Sequence, residues 1–283
     1  MPAFWSFVDA AEKAPEERLP ALFQKHLVED NPDLYVSGVL GDPKKDPQRW
    51  EGRIREYWKK VKPLLPQVHA AEKDLMGVLA DAEGLFRQQF PSFPLQVQVI
   101  VTPSRFDFDG AFRGVKESPA VLFAPDGIVA VAGDKSRRRA RPLVIHELFH
   151  TIHELVSEDP DVFLMMWREG LAIHATHSLL PQTSLEDLLA SEELASLPAA
   201  EEARLAREIL GKLDRKDVAR REFFDWAPEP ITPGMPNRSG YLLGYRVAQR
   251  LGKTHSLEAL TRMGRPELEP LVRAALQDMA KTP

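Results

Sequence analysis

The chain has 283 residues, 43% of them hydrophobic, which is enough to fill the core of one large or two modest domains. A net charge of −5 and a pI near 6.0 leave no basic excess to neutralise a phosphate backbone, so nucleic acid is excluded as an expected partner. Cysteine is absent; disulfides, thiolate metal sites and a cysteine nucleophile are therefore ruled out, and any transition metal has to sit on His, Asp or Glu.

No run reaches the roughly 18 apolar residues of a membrane span, and the start, MPAFWSFVDAAEKAPEE, lacks the basic-then-apolar order of a signal peptide. The expectation is a soluble chain without a membrane span. Its compartment and oligomeric state are not encoded in any motif, and a secreted or periplasmic chain trimmed of a signal would read the same way.

From Phe4 to about Leu27, and again from Trp50 to Phe90, apolar residues recur at three and four positions among charges, which predicts helices. The segment between them, DNPDLYVSGVLGDPKKDPQ, is rich in Asp, Pro and Gly and predicts a loop. At Pro94 the period changes. LQVQVIVTP alternates, while AVLFAP and GIVAVAG are short β-rich runs, so two or three strands of a small sheet are expected, with Asp126 and Gly127 in a hairpin turn between the second and third runs.

Beyond Arg141 the chain returns to helices. Pro142 suits a first helical turn, with the pattern running to about Ser157, and a second helix should follow Pro160 and stop before Pro181. Ser184 with Asp187 has the capping-box form and opens a run of acidic amphipathic helices to about Trp226. PEPITPGMPNRSG is a Pro-rich loop, and further helices run from Tyr241 to near Lys281.

The segment from Leu143 to His153 contains His146-Glu147-Leu148-Phe149-His150, the HExxH pattern, on a predicted helix. Residues four apart project from nearly the same angle, so the two imidazoles can converge on one metal ion. Glu147 then lies beside the metal, placed to take a proton from a metal-activated water. A catalytic zinc wants three protein ligands and an open position. Glu169, in Trp167-Arg168-Glu169-Gly170-Leu171-Ala172, lies on the second helix, and two antiparallel helices joined through Glu158 to Asp161 would bring it over the HExxH face.

HExxH followed after 18 residues by EGLA resembles the gluzincin metallopeptidases. It is also similar to a group of bacterial predicted zinc-dependent proteases without known substrates. The resemblance covers about residues 95 to 260. It implies His146, His150 and Glu169 as zinc ligands and Glu147 as general base. The metzincin pattern would need Gly at position 153 and His at 156, where this chain has His153 and Val156. Downstream, Ser239-Gly240-Tyr241-Leu242-Leu243-Gly244-Tyr245 is similar to the Tyr-x-x-Gly of zinc aminopeptidases, which implies Tyr241 as oxyanion donor, with Tyr245 as the alternative. The aminopeptidases' GxMEN motif is missing, since GDKSRRRARP stands before the HExxH helix, so exopeptidase specificity does not carry over.

Other candidates have competing readings. His153 shares the face of His150, but three ligands on one straight helix spread too far to close round one ion, so a packing or supporting role is expected. His174 and His177 read as surface or supporting residues, with His174 a possible substrate contact. The run Arg137 to Arg141 reads as a solvated loop, or alternatively as a grip on a substrate carboxylate.

The expectation is an α+β, mainly helical, zincin-like fold. A helical region (1–92) precedes a catalytic core (93–180) whose small mixed sheet packs on the HExxH helix, and a helical C-terminal lobe (181–283) follows. The expected activity is zinc-dependent hydrolysis of a peptide or protein substrate, with Ala120 to Phe123 as an edge strand that takes the substrate backbone. Hydrolysis of a non-peptide amide, and a non-catalytic binding protein on the same scaffold, are the alternatives.

Overall fold

The computed structural model describes residues 1–29, 31–35, 44–92, 97–115, 118–153, 157, 159–225 and 230–281. Asp30 and 36–43 of the predicted loop, 93–96 at the start of the sheet region, 154–156 and Glu158 between the two ligand helices, and 226–229 lie outside the described residues. Helices predominate beside one small mixed sheet, so the fold is α+β and mainly helical, as the sequence predicts. The chain forms two compact units, one of Met1–Gly84 with Pro94–Thr151 and the other of Leu85–Phe93 with Ile152–Pro283. Among the described residues no helix is long and apolar enough to cross a membrane.

The first unit opens with α1 (Pro2–Ala11), α2 (Leu19–Phe23), the single turn α3 (Pro32–Leu34), α4 (Pro47–Val61) and α5 (Leu65–Gln89), whose last turn belongs to the second unit. Asp46 starts α4 by accepting the Arg49 N–H at 3.1 Å, with Pro47 at the first helical position. Trp50, Ile54, Tyr57, Trp58 and Val61 form its buried stripe. Phe7 of α1 meets Phe23 and Trp58 edge-on at 5.2 and 5.6 Å, so an aromatic core joins these helices.

The sheet has the order β1-β3-β2, from β1 (Gln98–Val101), β2 (Gly110–Val115) and β3 (Ser118–Phe123). β1 runs parallel to β3, with Gln98 opposite Ala120, and β2 runs antiparallel to it, with Gly110 opposite Phe123. Ala120 to Phe123 is thus the central strand rather than an edge. Both its sides are paired, and its four residues are fully buried, which accounts for their uninterrupted apolar character. The edges on either side of it are β1 and β2, and the Gly-Ala-Phe-Arg-Gly pattern of β2 carries little strand signal.

GIVAVAG is not a strand. Pro125–Ala132 forms helix α6, with Pro125 in its first turn and Gly133 at φ +50° ending it. Asp126 makes no hairpin turn; its buried carboxylate accepts the N–H groups of Ser104 (2.9 Å) and Phe106 (3.2 Å). Burial pushes this carboxyl up, and the backbone donors pull it back. Those bonds hold a loop in which Arg105 and Phe106 both have positive φ (62° and 67°), a conformation that costs non-glycine residues roughly 1–2 kcal/mol each.

Helix α7 (Ser136–Phe149) starts earlier than expected, so Pro142 lies in its interior and Arg137 to Arg141 are helical. Nor is that run wholly solvated. Arg139 is buried and grips Asp109 Oδ2 through Nε (3.2 Å) and Nη2 (3.0 Å), which ties the loop before β2 to the HExxH helix.

The second unit contains α8 (Val162–Leu179), α9 (Leu185–Leu189), α10 (Glu192–Ala195), α11 (Ala199–Leu210), α12 (Val218–Phe224), α13 (Ser239–Leu251), α14 (Leu257–Arg262) and α15 (Arg265–Ala280). Asp161 caps α8 through the Leu164 N–H at 2.9 Å. Ser184 caps α9, accepting the Asp187 N–H at 3.1 Å, and its hydroxyl donates to the Asp187 carboxylate at 2.8 Å. Helices α8 and α13 cross backbone to backbone. A Cβ added to Gly170 would stand 2.0 Å from the Gly244 carbonyl carbon, and one on Gly244 would stand 2.1 Å from the Met166 carbonyl oxygen.

Because backbone cannot rotate out of the way, Gly244→Ala should destabilise the protein by about 1–3 kcal/mol in chemical denaturation. Gly77→Ala, at an exposed and open position within α5, should instead stabilise it by about 0.5–1 kcal/mol. Equal and small effects at both sites would contradict the crossing.

Candidate metal centre

Helix α7 carries His146 and Glu147 in its last turn, and His150 is its C-cap residue, opening a 3-10 turn to Ile152. The Nε2 atoms of His146 and His150 face each other at 3.2 Å, with the rings edge to face at 88°. Two donors each about 2.0–2.1 Å from a tetrahedral ion lie about 3.3 Å apart. The helix therefore presents two imidazole nitrogens at the spacing of a metal-ligand pair. From α8, Glu169 completes the set, since the ligand atoms of His146, His150 and Glu169 all lie within 4.8 Å of one another. This group can hold a metal ion. Its donors are two nitrogens and a carboxylate oxygen, and three protein ligands leave a tetrahedral ion one open position.

Glu147 is only 6% exposed and lies outside this ligand group. It packs on the first residue of β2, where a Cβ on Gly110 would stand 2.7 Å from Glu147 Cγ and 3.0 Å from its Oε1. Only glycine leaves room there for the carboxylate. Gly110 is held in place through Asp109, whose carboxylate is gripped by Arg139 and whose carbonyl accepts the Ala124 N–H at 2.9 Å. The sheet thus sits against the HExxH helix, and the strained loop is what delivers it.

The remaining sequence candidates fall into two groups. His153 is buried but stands outside the ligand group. His174 and His177 lie about 140° and 80° round α8 from Glu169. A Cβ on Gly252 would touch His174 Nε2 at 2.7 Å, and His177 Nδ1 is 2.5 Å from the Tyr245 hydroxyl. Burial first, and the neighbouring His177 second, lower the pKa of His174. His174 is therefore part of the packing against α13 rather than a substrate contact.

The Tyr245 hydroxyl accepts from Gln249 Nε2 at 2.7 Å and shares a second hydrogen bond with His177 Nδ1. Burial raises its pKa and keeps it protonated. Tyr245 is a core side chain with a committed hydroxyl. Tyr241 is only half-buried, its ring packed on the cluster of Ile173, Leu188, Leu189 and Leu194. Phe224 lies 6.0 Å from it, and the Arg238 guanidinium stacks over it at 4.3 Å.

Gly110, the Arg139 to Asp109 pair and the Gly170 to Gly244 crossing are absent from the sequence expectations. Both crossing glycines stand inside quoted motifs, EGLA and GYLLG, and glycine within a helical pattern is the signal of close backbone approach. No family model, curated protein or solved structure matches the chain.

If this group holds a metal, elemental analysis of the purified protein should give about one divalent ion per chain. The His146→Ala, His150→Ala double variant should be empty while keeping its helical circular dichroism. Full occupancy in that variant would place the ion elsewhere.

Proposed function

We propose that the chain is a zinc-dependent peptidase of the gluzincin type. The observation that carries this reading is a His146, His150 and Glu169 group with ligand atoms inside 4.8 Å, next to a buried Glu147 that is not one of the ligands. Without cysteine the donor set is imidazole and carboxylate, which suits zinc. A non-catalytic metal site would have no use for a second, buried carboxyl group beside the ligands, whose burial costs free energy.

His146, His150 and Glu169 would hold the zinc, which would supply Lewis-acid chemistry at the scissile carbonyl and acidify the attacking water. Glu147 accepts the proton of the attacking water and passes it to the leaving amine nitrogen. Its position against Gly110 excludes water from one side and fixes the carboxylate's direction. Tyr241 donates its hydroxyl to the developing oxyanion. The Tyr245 hydroxyl is committed to His177 and Gln249, which argues against Tyr245 in this role. β2, the sheet edge that starts beside Glu147, takes the substrate backbone by strand addition.

The test is an unbiased peptide-library digestion read by mass spectrometry, alongside zinc analysis. Glu147→Gln should keep zinc and lose turnover by about 10²- to 10⁴-fold. Gly110→Ala should also keep zinc, and should lower turnover by pushing the Glu147 side chain aside. Zinc-loaded protein that cleaves no peptide in the library would overturn the reading.

Tyr241→Phe should lower kcat by about 10²- to 10³-fold with little change in KM, since the hydrogen bond forms mainly in the transition state. Tyr245→Phe should act chiefly on stability. Should Tyr245→Phe abolish turnover while Tyr241→Phe leaves it intact, the two roles are exchanged.

A further inference from the structure

Helix α8 is buried along most of its length, through Val162, Phe163, Leu164, Met166, Trp167, and Gly170 to Ile173. Over its first three turns the half-exposed positions are Met165, Arg168 and Glu169. Their spacing of i, i+3 and i+4 puts them on one face, within a sector of about 100°. That sector is the open side of this part of the helix, and the ligand Glu169 lies in it.

Arg168 stands in the same opening with its Nε buried and without a hydrogen-bond partner. Of the other part-buried arginines of this unit, four are held by carboxylates: Arg204 by Glu201 at 2.8 Å, Arg246 by Glu202 at 2.9 Å, Arg265 by Glu269 at 2.9 Å and Asp161 at 2.7 Å, and Arg273 by Glu269 at 2.6 Å and Asp214 at 2.8 Å; the fifth, Arg238, donates to the Leu189 carbonyl at 3.3 Å and stacks on Tyr241. Among the described residues, no carboxylate lies within ion-pair distance of Arg168. A buried guanidinium nitrogen with no acceptor is costly, and natural folds keep few of them.

We propose that Arg168 is the substrate-carboxylate receptor of this site, selecting peptides that present a carboxylate to the opening it shares with Glu169. The inference rests on the peptidase reading above and names its substrate class. The planar guanidinium fork matches a carboxylate in two parallel hydrogen bonds. Neither Met165 nor Glu169 brings a second cation to the sector, which suits a monoanion and not a phosphate dianion. Its two possible sources are the free C-terminus of a peptide and an Asp or Glu side chain.

The experiment uses the full-length, zinc-loaded Glu147→Gln chain, so that bound peptides are not consumed. Three N-acetylated hexapeptides are titrated calorimetrically: a neutral sequence with a free C-terminal acid, the same sequence as the C-terminal amide, and that amide with one internal Glu. One acidic peptide should bind about 10- to 100-fold more tightly than the neutral amide, and the one that does identifies the source of the carboxylate. Adding Arg168→Gln should erase the preference at unchanged zinc content, and Arg168→Lys should restore part of it. Should Arg168→Gln fail to fold, a preference reduced in Arg168→Lys carries the test.

A preference that survives Arg168→Gln, or no preference and no measurable binding of either acidic peptide, overturns the proposal. Arg168-dependent binding in a protein that cleaves no peptide would sink the peptidase reading and leave the carboxylate site standing. Cleavage that ignores both the carboxylate and Arg168 would do the reverse.

Discussion

Where α8 crosses α13, neither helix has room for a single methyl group at the contact, and the arrangement of the second unit follows from that. Two backbones in contact fix the azimuth of each helix, because a rotation of either would drive a side chain into the other's main chain. Next to Gly170 stands Glu169, turned away from the crossing. One turn before Gly244 stands Tyr241. The histidines that sequence alone leaves undecided fall on the crossing side, where His177 meets Tyr245 and His174 meets Gly252. Helices α9 and α10 then close over the pair through Leu188, Leu189 and Leu194.

The first unit has its own constraint, and it is polar. Asp126 is fully buried, and its carboxylate gathers the N–H groups of Ser104 and Phe106 from a loop that carries two left-handed non-glycine residues. Such a loop persists only where its surroundings over-determine it. Here the surroundings are Asp126 on one side and the Arg139 to Asp109 pair on the other. The reward is placement: the loop ends at Gly110, and Gly110 is what Glu147 rests on. Strain two residues long is converted into a fixed direction for one carboxylate.

Much of this is legible in the sequence where the signal is local. The N-cap at Ser184, the HExxH spacing and the two long helical regions all depend on contacts within four residues, which sequence displays directly. The strand order is not local. Ala120 to Phe123 reads as any buried apolar run, and only the pairing of β1 and β2 on either side makes it central. GIVAVAG reads as a strand because short β-branched runs do not reveal their period. The flanking Pro125 and Gly133 are the helix punctuation that could have corrected it. Arg139 looks like one more surface charge in a basic run, because its partner Asp109 lies 30 residues away.

The same division between local and distant runs through the metal centre. Four residues of regular helix bring the nitrogens of His146 and His150 to 3.2 Å, so that half of the site is made by α7 as soon as it coils. The other half is not made by any local rule. Glu169 belongs to a separate helix, and one residue of rotation along α8 would turn its carboxylate by about 100°. What prevents that rotation is Gly170, the next residue, whose missing side chain lets α8 seat against α13 in one azimuth. In EGLA the glutamate is the candidate donor and the glycine fixes its azimuth on α8. The two letters are adjacent because the candidate donor and the helix contact that sets its azimuth occupy neighbouring positions on a single turn.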